Sequence, residues 1–480
     1  MSIELMIRKL TVCEIAQAVG GVIEEYGCGA AGDVTHVGHD SREAFRGMLF
    51  CAIKGERFDG NDFIGDVLLR GCDILLCQRV PEEAKTSHNF TAIIVDDTVK
   101  AMGALAYYYR CLANVKVIAV TGSVGKTTTK EFVYSVASAG FKTHKTKGNY
   151  NNEIGLPLTL FELTPEDRVS VLEMGMSDRG EIERMSMIAR PDIAIITNIG
   201  TAHMESLGSR ENICKAKLEI MAGLSDDGCI IMNGDEPLLF NEKENIGDRA
   251  EYIGIHNRFA EYRAVNIRSG DTITYDLIYG DRAMTNVEVP AMGRHNVYNS
   301  LAAYAVGVKL GMSDEKIRQG LASFSGADKR QNIYGFGDIT VIDDCYNASP
   351  ESMRAAIDVL VSLAEKHEGV PAALLGDMLE LGEYSRLMHD QLGRYAAQEK
   401  VQKLYCFGSM ADVVAEAAIT HGIRAENVFV CADMNNPELM ADMICGSIEA
   451  GDVLLVKASR GVEAERVLEA LKRKLTKKKK

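Results

Sequence analysis

Val117-Ile118-Ala119-Val120-Thr121-Gly122-Ser123-Val124-Gly125-Lys126-Thr127-Thr128-Thr129 is an apolar run that breaks at a Gly-Lys-Thr turn and resumes as a helical pattern. The β-branched residues suit a buried strand, and the glycines let backbone N–H groups turn inward around an anion. The next helix presents its positive end to the same anion. The stretch reads as a phosphate-binding loop: Gly122, Ser123, Val124, Gly125 and Thr128 form the cradle, Lys126 reaches the terminal phosphates, and the Thr127 hydroxyl is available to magnesium. The longer form of this motif carries a further glycine where this chain has Val120, so the reading rests on strand, turn and helix agreeing.

Outward from this loop, residues 111–326 alternate apolar runs with helical patterns, which predicts a mainly parallel sheet covered on both faces. Residues 169–174 and 192–198 are the clearest further strands, and each carries a polar residue at or next to its carboxyl end, Glu173 and Asn198. Strand carboxyl ends gather on one edge of such a sheet, so Glu173 and Asn198 are expected beside the loop. Glu173 suits a magnesium–nucleotide complex; it also suits a helix cap or an ion pair with Arg179. His203, in the loop after the next strand, reads equally as a ligand or as a structural histidine. The helix that starts at Ser209 has the apolar stripe Ile213, Ala216, Ile220, Leu224, which places Lys217 inward and Lys215 outward. An inward lysine needs an acidic partner or a chemical role, such as reacting with carbon dioxide to place a carbamate beside metals. Asn296 and Asn299 share a helix face, as adenine-reading amides or as helix-start residues.

Two flanking regions complete the chain. Residues 1–110 mix short apolar runs with helix-like stretches and polar turns at residues 40–42 and 55–63, which suggests a small α/β domain. Residues 327–480 repeat a strand–helix alternation through five apolar runs, near residues 339–344, 372–377, 403–408, 428–430 and 452–457. This predicts a Rossmann-like, doubly wound domain, and the missing Gly-x-Gly-x-x-Gly fingerprint disfavours a nicotinamide enzyme. Polar residues again fall at its strand ends: Asp344, Tyr346, Asn347, Asp377, Lys457, Ser459 and Arg460. The fold class is thus α/β in three domains, residues 1–110, 111–326 and 327–480.

Composition narrows the function. At 480 residues, 46% apolar and 25% charged, the chain is ordinary for a globular protein of several domains. A net charge of −15 argues against a nucleic-acid surface, so phosphates must be held locally. No apolar run reaches a membrane span, and the first residues lack a secretory signal, so a cytoplasmic location is expected. The twelve cysteines are scattered singly and read as buried thiols rather than a zinc site or disulfide framework. The basic run at residues 472–480 reads as a solvated end, or as a weak contact for an acidic surface.

Taken together these segments resemble the Mur ligases, ATP-dependent amide-forming enzymes of cell-wall precursor synthesis. The residues that carry the shared pattern are the phosphate loop, Gly148-Asn149-Tyr150-Asn151-Asn152-Glu153-Ile154-Gly155, the His203 loop, Ala216-Lys217 and the segment from Gly293 to Asn299. Residues 343–350, 375–382 and 457–461 resemble the branch that adds D-alanyl-D-alanine. The resemblance implies a monomeric enzyme that joins D-alanyl-D-alanine to UDP-N-acetylmuramoyl tripeptide with ATP, two magnesium ions and a carbamylated Lys217. It implies that Lys126 and Thr127 take the phosphates and the first magnesium, and that Glu173 and His203 hold the second. Asn296, Asn299, Arg330 and Asp344 would line the nucleotide, with Arg330 also acting on the transferring phosphoryl group. Ser41, Arg42 and the turn with Asp59 and Gly60 would hold the UDP moiety; Asn149, Asn152, Asn347, Lys457, Ser459 and Arg460 would complete the substrate contacts. The family often has histidine where this chain has Asn61. Competing readings are another ligase of the same build, such as a folylpolyglutamate synthase, and a P-loop switch that makes phosphate without an amide.

Overall fold

The structure is a computed structural model that describes residues 2–30, 32–55, 57–270, 272–326 and 331–478. Arg330, and Lys479 and Lys480 of the basic run, lie outside the described residues. The chain divides into two compact units, one of Met1–Thr121, Gly140–Ile195 and Leu218–Ile230, the other of Gly122–Ala139, Ile196–Lys217 and Ile231–Lys480.

The first unit opens with a six-stranded sheet of β1 Ser2–Glu4, β2 Val22–Tyr26, β3 His36–Gly38, β4 Met48–Cys51, β5 Ile74–Cys77 and β6 Phe90–Ile94, in the order β1-β3-β4-β5-β6-β2. β3 to β6 run parallel, and antiparallel β1 and β2 close the edges. Met48-Leu49-Phe50-Cys51 and Ile74-Leu75-Leu76-Cys77 are wholly buried, as expected of parallel strands covered on both faces. Helix Thr98–Cys111 starts on the Asp97 carboxylate, which accepts from the N–H groups of Val99 and Lys100. Its buried Tyr109 accepts a hydrogen bond from the Ile7 N–H and meets Phe161 edge-on, tying the amino-terminal strand layer to the helix Gly155–Phe161.

The second sheet has nine strands, β7 Lys116–Thr121, β8 Thr143–Lys145, β9 Val169–Glu173, β10 Ile193–Ile196, β11 Cys229–Asn233, β12 Ala250–Gly254, β13 Tyr262–Arg268, β14 Ile273–Tyr279 and β15 Arg282–Val289. Their order is β15-β14-β13-β12-β11-β10-β7-β9-β8, and β11 carries residues of both units. β8, β9 and β7 are parallel, whereas β13, β14 and β15 form an antiparallel extension that the sequence reading did not separate out. In the second unit the helix Lys126–Ser138 packs under Asp314–Ala322, and Phe132 stacks on Phe324 with centroids 3.6 Å apart.

The last sheet comprises β16 Asn332–Phe336, β17 Ile339–Asp343, β18 Pro371–Gly376, β19 Lys403–Phe407, β20 Val428–Cys431 and β21 Val453–Lys457, in the order β16-β17-β21-β18-β19-β20. Five strands are parallel, and β16, absent from the sequence expectation, adds an antiparallel edge on β17. β21 returns between β17 and β18, so the strand order reverses there and the carboxyl ends of these three strands border one crevice. Apolar layers cover both faces of this sheet. Among the described residues no helix is long and apolar enough to cross a membrane. Among the described residues no disulfide is formed, and burial pushes the Cys72 and Cys77 thiols up to about 12.

Candidate active site

The phosphate loop follows β7 directly. Gly122 has φ +149°, and a Cβ there would lie 1.9 Å from Thr197 Oγ1; Gly125, φ +83°, starts helix Lys126–Ser138 without a side-chain cap. Only glycine fits either position, and the helix that starts there presents its positive end to an anion. The end of β10 templates the loop: Val124 N–H donates to Asn198 Oδ1 at 3.0 Å, Ser123 N–H to the Asn198 carbonyl at 3.1 Å, and Thr197 Oγ1 to the Val124 carbonyl at 2.6 Å. The Lys126 ammonium folds onto the carbonyls of Gly122, 2.8 Å, and Ser123, 3.2 Å.

A cavity of about 820 Å³ opens beside this loop within the second unit, lined by Val124, Gly125 and Thr128 on one side and by Asn296, Asn299, Gln331, Asp344 and Lys457 on others. That size suits a nucleotide-sized ligand. Asn299 donates to Asn296 Oδ1 at 2.8 Å and accepts from Thr129 Oγ1 at 2.9 Å, while Asn296 donates to the Met292 carbonyl at 2.7 Å. The amide pair is therefore fixed to the loop helix rather than capping its own. Asp344 and Lys457 form a buried ion pair at 2.5 Å, with Lys457 also donating to the Asn347 carbonyl at 3.0 Å. His295, at the start of the same helix as the two asparagines, is half-buried and lines the cavity near Lys457; loss of solvent around the ring brings it down to about 4, with Asp344 opposing and Lys457 assisting, so the ring is neutral. Arg330 lies outside the described residues, two positions before the cavity-lining Asn332.

The loop after β10 carries His203, whose Nδ1 lies 2.9 Å from Glu380 Oε2. The hydrogen bond from His203 holds Glu380 below the usual carboxylate range; partial burial opposes this, and the charges of His203 and Lys126 assist it. Two residues earlier, Thr201 N–H and Oγ1 both donate to Glu351 Oε1, at 3.0 and 3.1 Å. Lys217 is 1% exposed while Lys215 is exposed, as the helical stripe requires. In the segment after β18, Asp377 accepts from Ser409 N–H and Oγ, both 2.7 Å, and Met410 N–H, 2.9 Å; Ser459 Oγ accepts from Leu379 N–H at 3.0 Å. The Arg460 guanidinium sits over the Tyr346 ring, 5.6 Å from its centre.

In the first unit Glu173 ends β9 in register with Val120 of β7, is 3% exposed, and accepts from Asn151 Nδ2 at 2.9 Å. Asn152 Oδ1 accepts from Ile154 and Gly155 N–H, at 3.2 and 2.8 Å, so its side chain shapes the following helix start, and Asn149 turns its carbonyl to Asn151 N–H at 2.8 Å. Arg42 clasps Asp40 through Nε and Nη2, at 2.9 and 2.7 Å, which holds that carboxyl far below its usual range, and Ser41 opens the same helical turn. Asp59 accepts from Asn61 N–H and Nδ2, while Asn61 Oδ1 takes Gln78 N–H at 3.0 Å. A Cβ on Gly60 would lie 2.6 Å from the Ile53 nitrogen, so this turn must approach the β4 exit closely, leaving Phe58 71% exposed.

Among the described residues no three His, Cys, Asp or Glu side chains stand ready to hold a metal. Magnesium takes one or two protein carboxylates and completes its shell with phosphate oxygens and water, and the buried Glu173 carboxylate at the end of β9 is a group of that kind. Sequence reasoning passed over His295, Gln331, Glu351 and Glu380. His295 and Glu380 lie inside quoted motifs, but nothing in their spacing marks them as facing a cavity or a partner loop.

Known proteins resemble this chain over nearly all of its length. The model described as the Mur ligase middle domain matches residues 120–307, that of the Mur ligase glutamate ligase domain residues 329–460, and that of the Mur ligase family catalytic domain residues 33–110. The UDP-N-acetylmuramoyl-tripeptide–D-alanyl-D-alanine ligase of Bacillus subtilis is 38% identical over 468 residues, covering 96% of this chain and 98% of that protein. The crystal structure of MurF from Acinetobacter baumannii superposes with a TM-score of 0.87 at 32% identity, covering 97% of this chain and 99% of that one. The MurF ligase of Thermotoga maritima in complex with ADP gives 0.80 at 29% identity, covering 92% and 98%. With three Mur ligase models matched in order along it and relatives covering 96–97% of its length, this chain belongs to the Mur ligase family.

Proposed function

We propose that this protein joins D-alanyl-D-alanine to UDP-N-acetylmuramoyl tripeptide at the expense of ATP, a step of peptidoglycan precursor synthesis. The observation that carries the reading is the cavity in which the phosphate loop, the Asn296–Asn299 pair and the Asp344–Lys457 pair meet. A carboxylate is a poor electrophile, so its oxygen first attacks the γ-phosphorus and ADP leaves. The dipeptide amine then attacks the acyl carbon of the acyl phosphate, the carbon–oxygen bond to phosphate breaks, and the amine's proton passes to solvent. Such transfer needs positioning and cations more than a protein nucleophile.

In this reading the amides of residues 122–128 cradle the phosphates, and Lys126 exchanges the Gly122 and Ser123 carbonyls for phosphate oxygens. Asn296, Asn299 and Asp344 hold the nucleoside, and Arg330 acts on the transferring group. Magnesium, when bound, neutralises the charge that spreads over that group; Thr127 would hold the first ion, and Glu173 and His203 the second. Residues 1–110 take the UDP moiety through Ser41, Arg42, Asp59 and Gly60; Asn149 and Asn152 contact the peptide. Residues 327–480 bring the dipeptide, with Asn347, Ser459 and Arg460 around it and Lys457 anchored on Asp344. A monomer in the cytoplasm completes the reading.

The test is phosphate release from ATP with the UDP-tripeptide, with and without D-alanyl-D-alanine, and the mass of the product. Release that needs both substrates and yields a pentapeptide supports the reading; release indifferent to the dipeptide sinks it. Lys217, deeply buried in its stripe, is the proposed carbamate. Removing carbon dioxide should lower activity and bicarbonate restore it, and short carboxylic acids should rescue Lys217→Ala. Activity blind to bicarbonate would leave Lys217 a structural ion-pair partner.

A further inference from the structure

His203 and Glu380 face each other 2.9 Å apart, and both hold left-handed backbones, φ +65° and +63°. Such a conformation costs a non-glycine residue about 1 kcal/mol or more, so surrounding contacts must enforce it. They are visible on both sides. The histidine loop is gripped by Glu351 through Thr201, and Glu205 N–H approaches the Glu380 carbonyl at 3.5 Å. The glutamate's turn is held by Met378 N–H donating to His389 Nε2 at 2.9 Å and Leu379 N–H donating to Ser459 Oγ at 3.0 Å. Nδ1 is the nitrogen that meets the carboxylate, so Nδ1 carries the proton there, and in the neutral ring the lone pair is then on Nε2.

We propose that Glu380 is a positioning residue for the cation bound with the nucleotide: by accepting from Nδ1 it fixes the tautomer in which His203 Nε2 can ligate the metal. The inference rests on the assignment of His203 as a ligand and deepens it, because a carboxylate from residues 327–480 then completes a site carried by residues 111–326. Imidazole ligands characteristically donate their second nitrogen to such a carboxylate, and removing it weakens metal binding about 10- to 100-fold. A hydrogen bond to a glutamate whose side chain is 65% exposed contributes little to stability, so the two effects separate.

The experiment is calorimetric titration of Mn²⁺ into the full chain saturated with a non-hydrolysable ATP analogue, for the unaltered protein, Glu380→Ala and Glu380→Gln. Glu380→Ala should lose about 10- to 100-fold in Mn²⁺ affinity. Glu380→Gln, whose amide oxygen accepts the same N–H, should recover most of it. Analogue binding in EDTA and the unfolding midpoint should stay unchanged in both. Equal Mn²⁺ affinity in Glu380→Ala, or a matching loss of metal-free analogue binding, would overturn the proposal. The dipeptide takes no part in this titration, so failure of the ligase assay and failure of this test are distinguishable.

Discussion

At the residue scale, the charged groups of the cavity test how much of its chemistry is also structural. Asp344 and Lys457 are 7% and 2% exposed in their side chains, so each is tolerable in the interior only because of the other. Lys457→Met should therefore cost about 3–5 kcal/mol by stranding the Asp344 charge. Adding Asp344→Asn to it should restore much of that stability while nucleotide affinity stays low, which urea unfolding and ADP titration would read separately. His295 makes a prediction in pH. Its folded value is brought from 6.5 to about 4, so the unfolded chain takes up a proton in that window that the folded chain refuses. Stability is fully present above pH 6.5 and falls as pH drops toward 4, by up to about 3 kcal/mol at 1.36 kcal/mol per unit. His295→Gln should flatten that part of the urea midpoint against pH; an unchanged slope would mean other groups carry it. Neither residue's importance was fully legible in the sequence. Asp344 stood out as a polar strand end, but the neutrality of His295 comes from its burial and from Lys457, more than 150 positions away in the chain.

At the scale of elements, the parts that read correctly were those whose pattern is strong and local. The run from Val117 to Val120 could only be a buried strand, and the stripe that buries Lys217 comes from 3.6 periodicity alone. The antiparallel strands β13 to β15 were passed over because each buries one face only: Tyr262 and Ala264, Ile273, Tyr275 and Leu277, Val287 and Val289 alternate with polar residues in a sequence also rich in turn formers. β16 escaped for a similar reason, its five residues being largely exposed with a glycine among them. The placement of the loop helix depends on a contact that no local pattern announces. A Cβ on Gly320 would lie 2.5 Å from the Val136 Cα and 3.0 Å from the Ser135 carbonyl oxygen. Backbone cannot yield as a flexible side chain does, so Gly320→Ala must push helix Asp314–Ala322 away from Lys126–Ser138. Overpacking of this kind costs about 1–3 kcal/mol. We expect a lowered unfolding midpoint with a raised KM for ATP; an unaltered midpoint would show that the two helices have slack that the glycine contact does not suggest.

At the scale of the whole molecule, an acidic protein has to capture an anionic nucleotide. The chain carries 53 basic and 68 acidic side chains, a balance of −15, and the cations of the cavity act at contact distance. The sequence made this tension plain but not its resolution, which depends on strand order: the insertion of β21 between β17 and β18 delivers Lys457 beside Asp344, and β10 delivers Asn198 to the loop. Binding thus combines a long-range repulsion with short-range attraction, and salt separates them. At ~0.01 M salt the Debye length is about 30 Å and the approaching nucleotide meets most of the molecule's charge; at ~0.15 M it is about 8 Å and only the cavity's own groups are felt. The association rate of a fluorescent ATP analogue, followed by stopped flow, should therefore rise with salt over this range, by roughly tenfold or less. The dissociation rate should rise too, because the contacts that hold the phosphates are themselves weakened. An association rate that falls with salt would mean that the field at the cavity mouth is positive despite the net charge, so that nucleotide is steered in rather than admitted against repulsion.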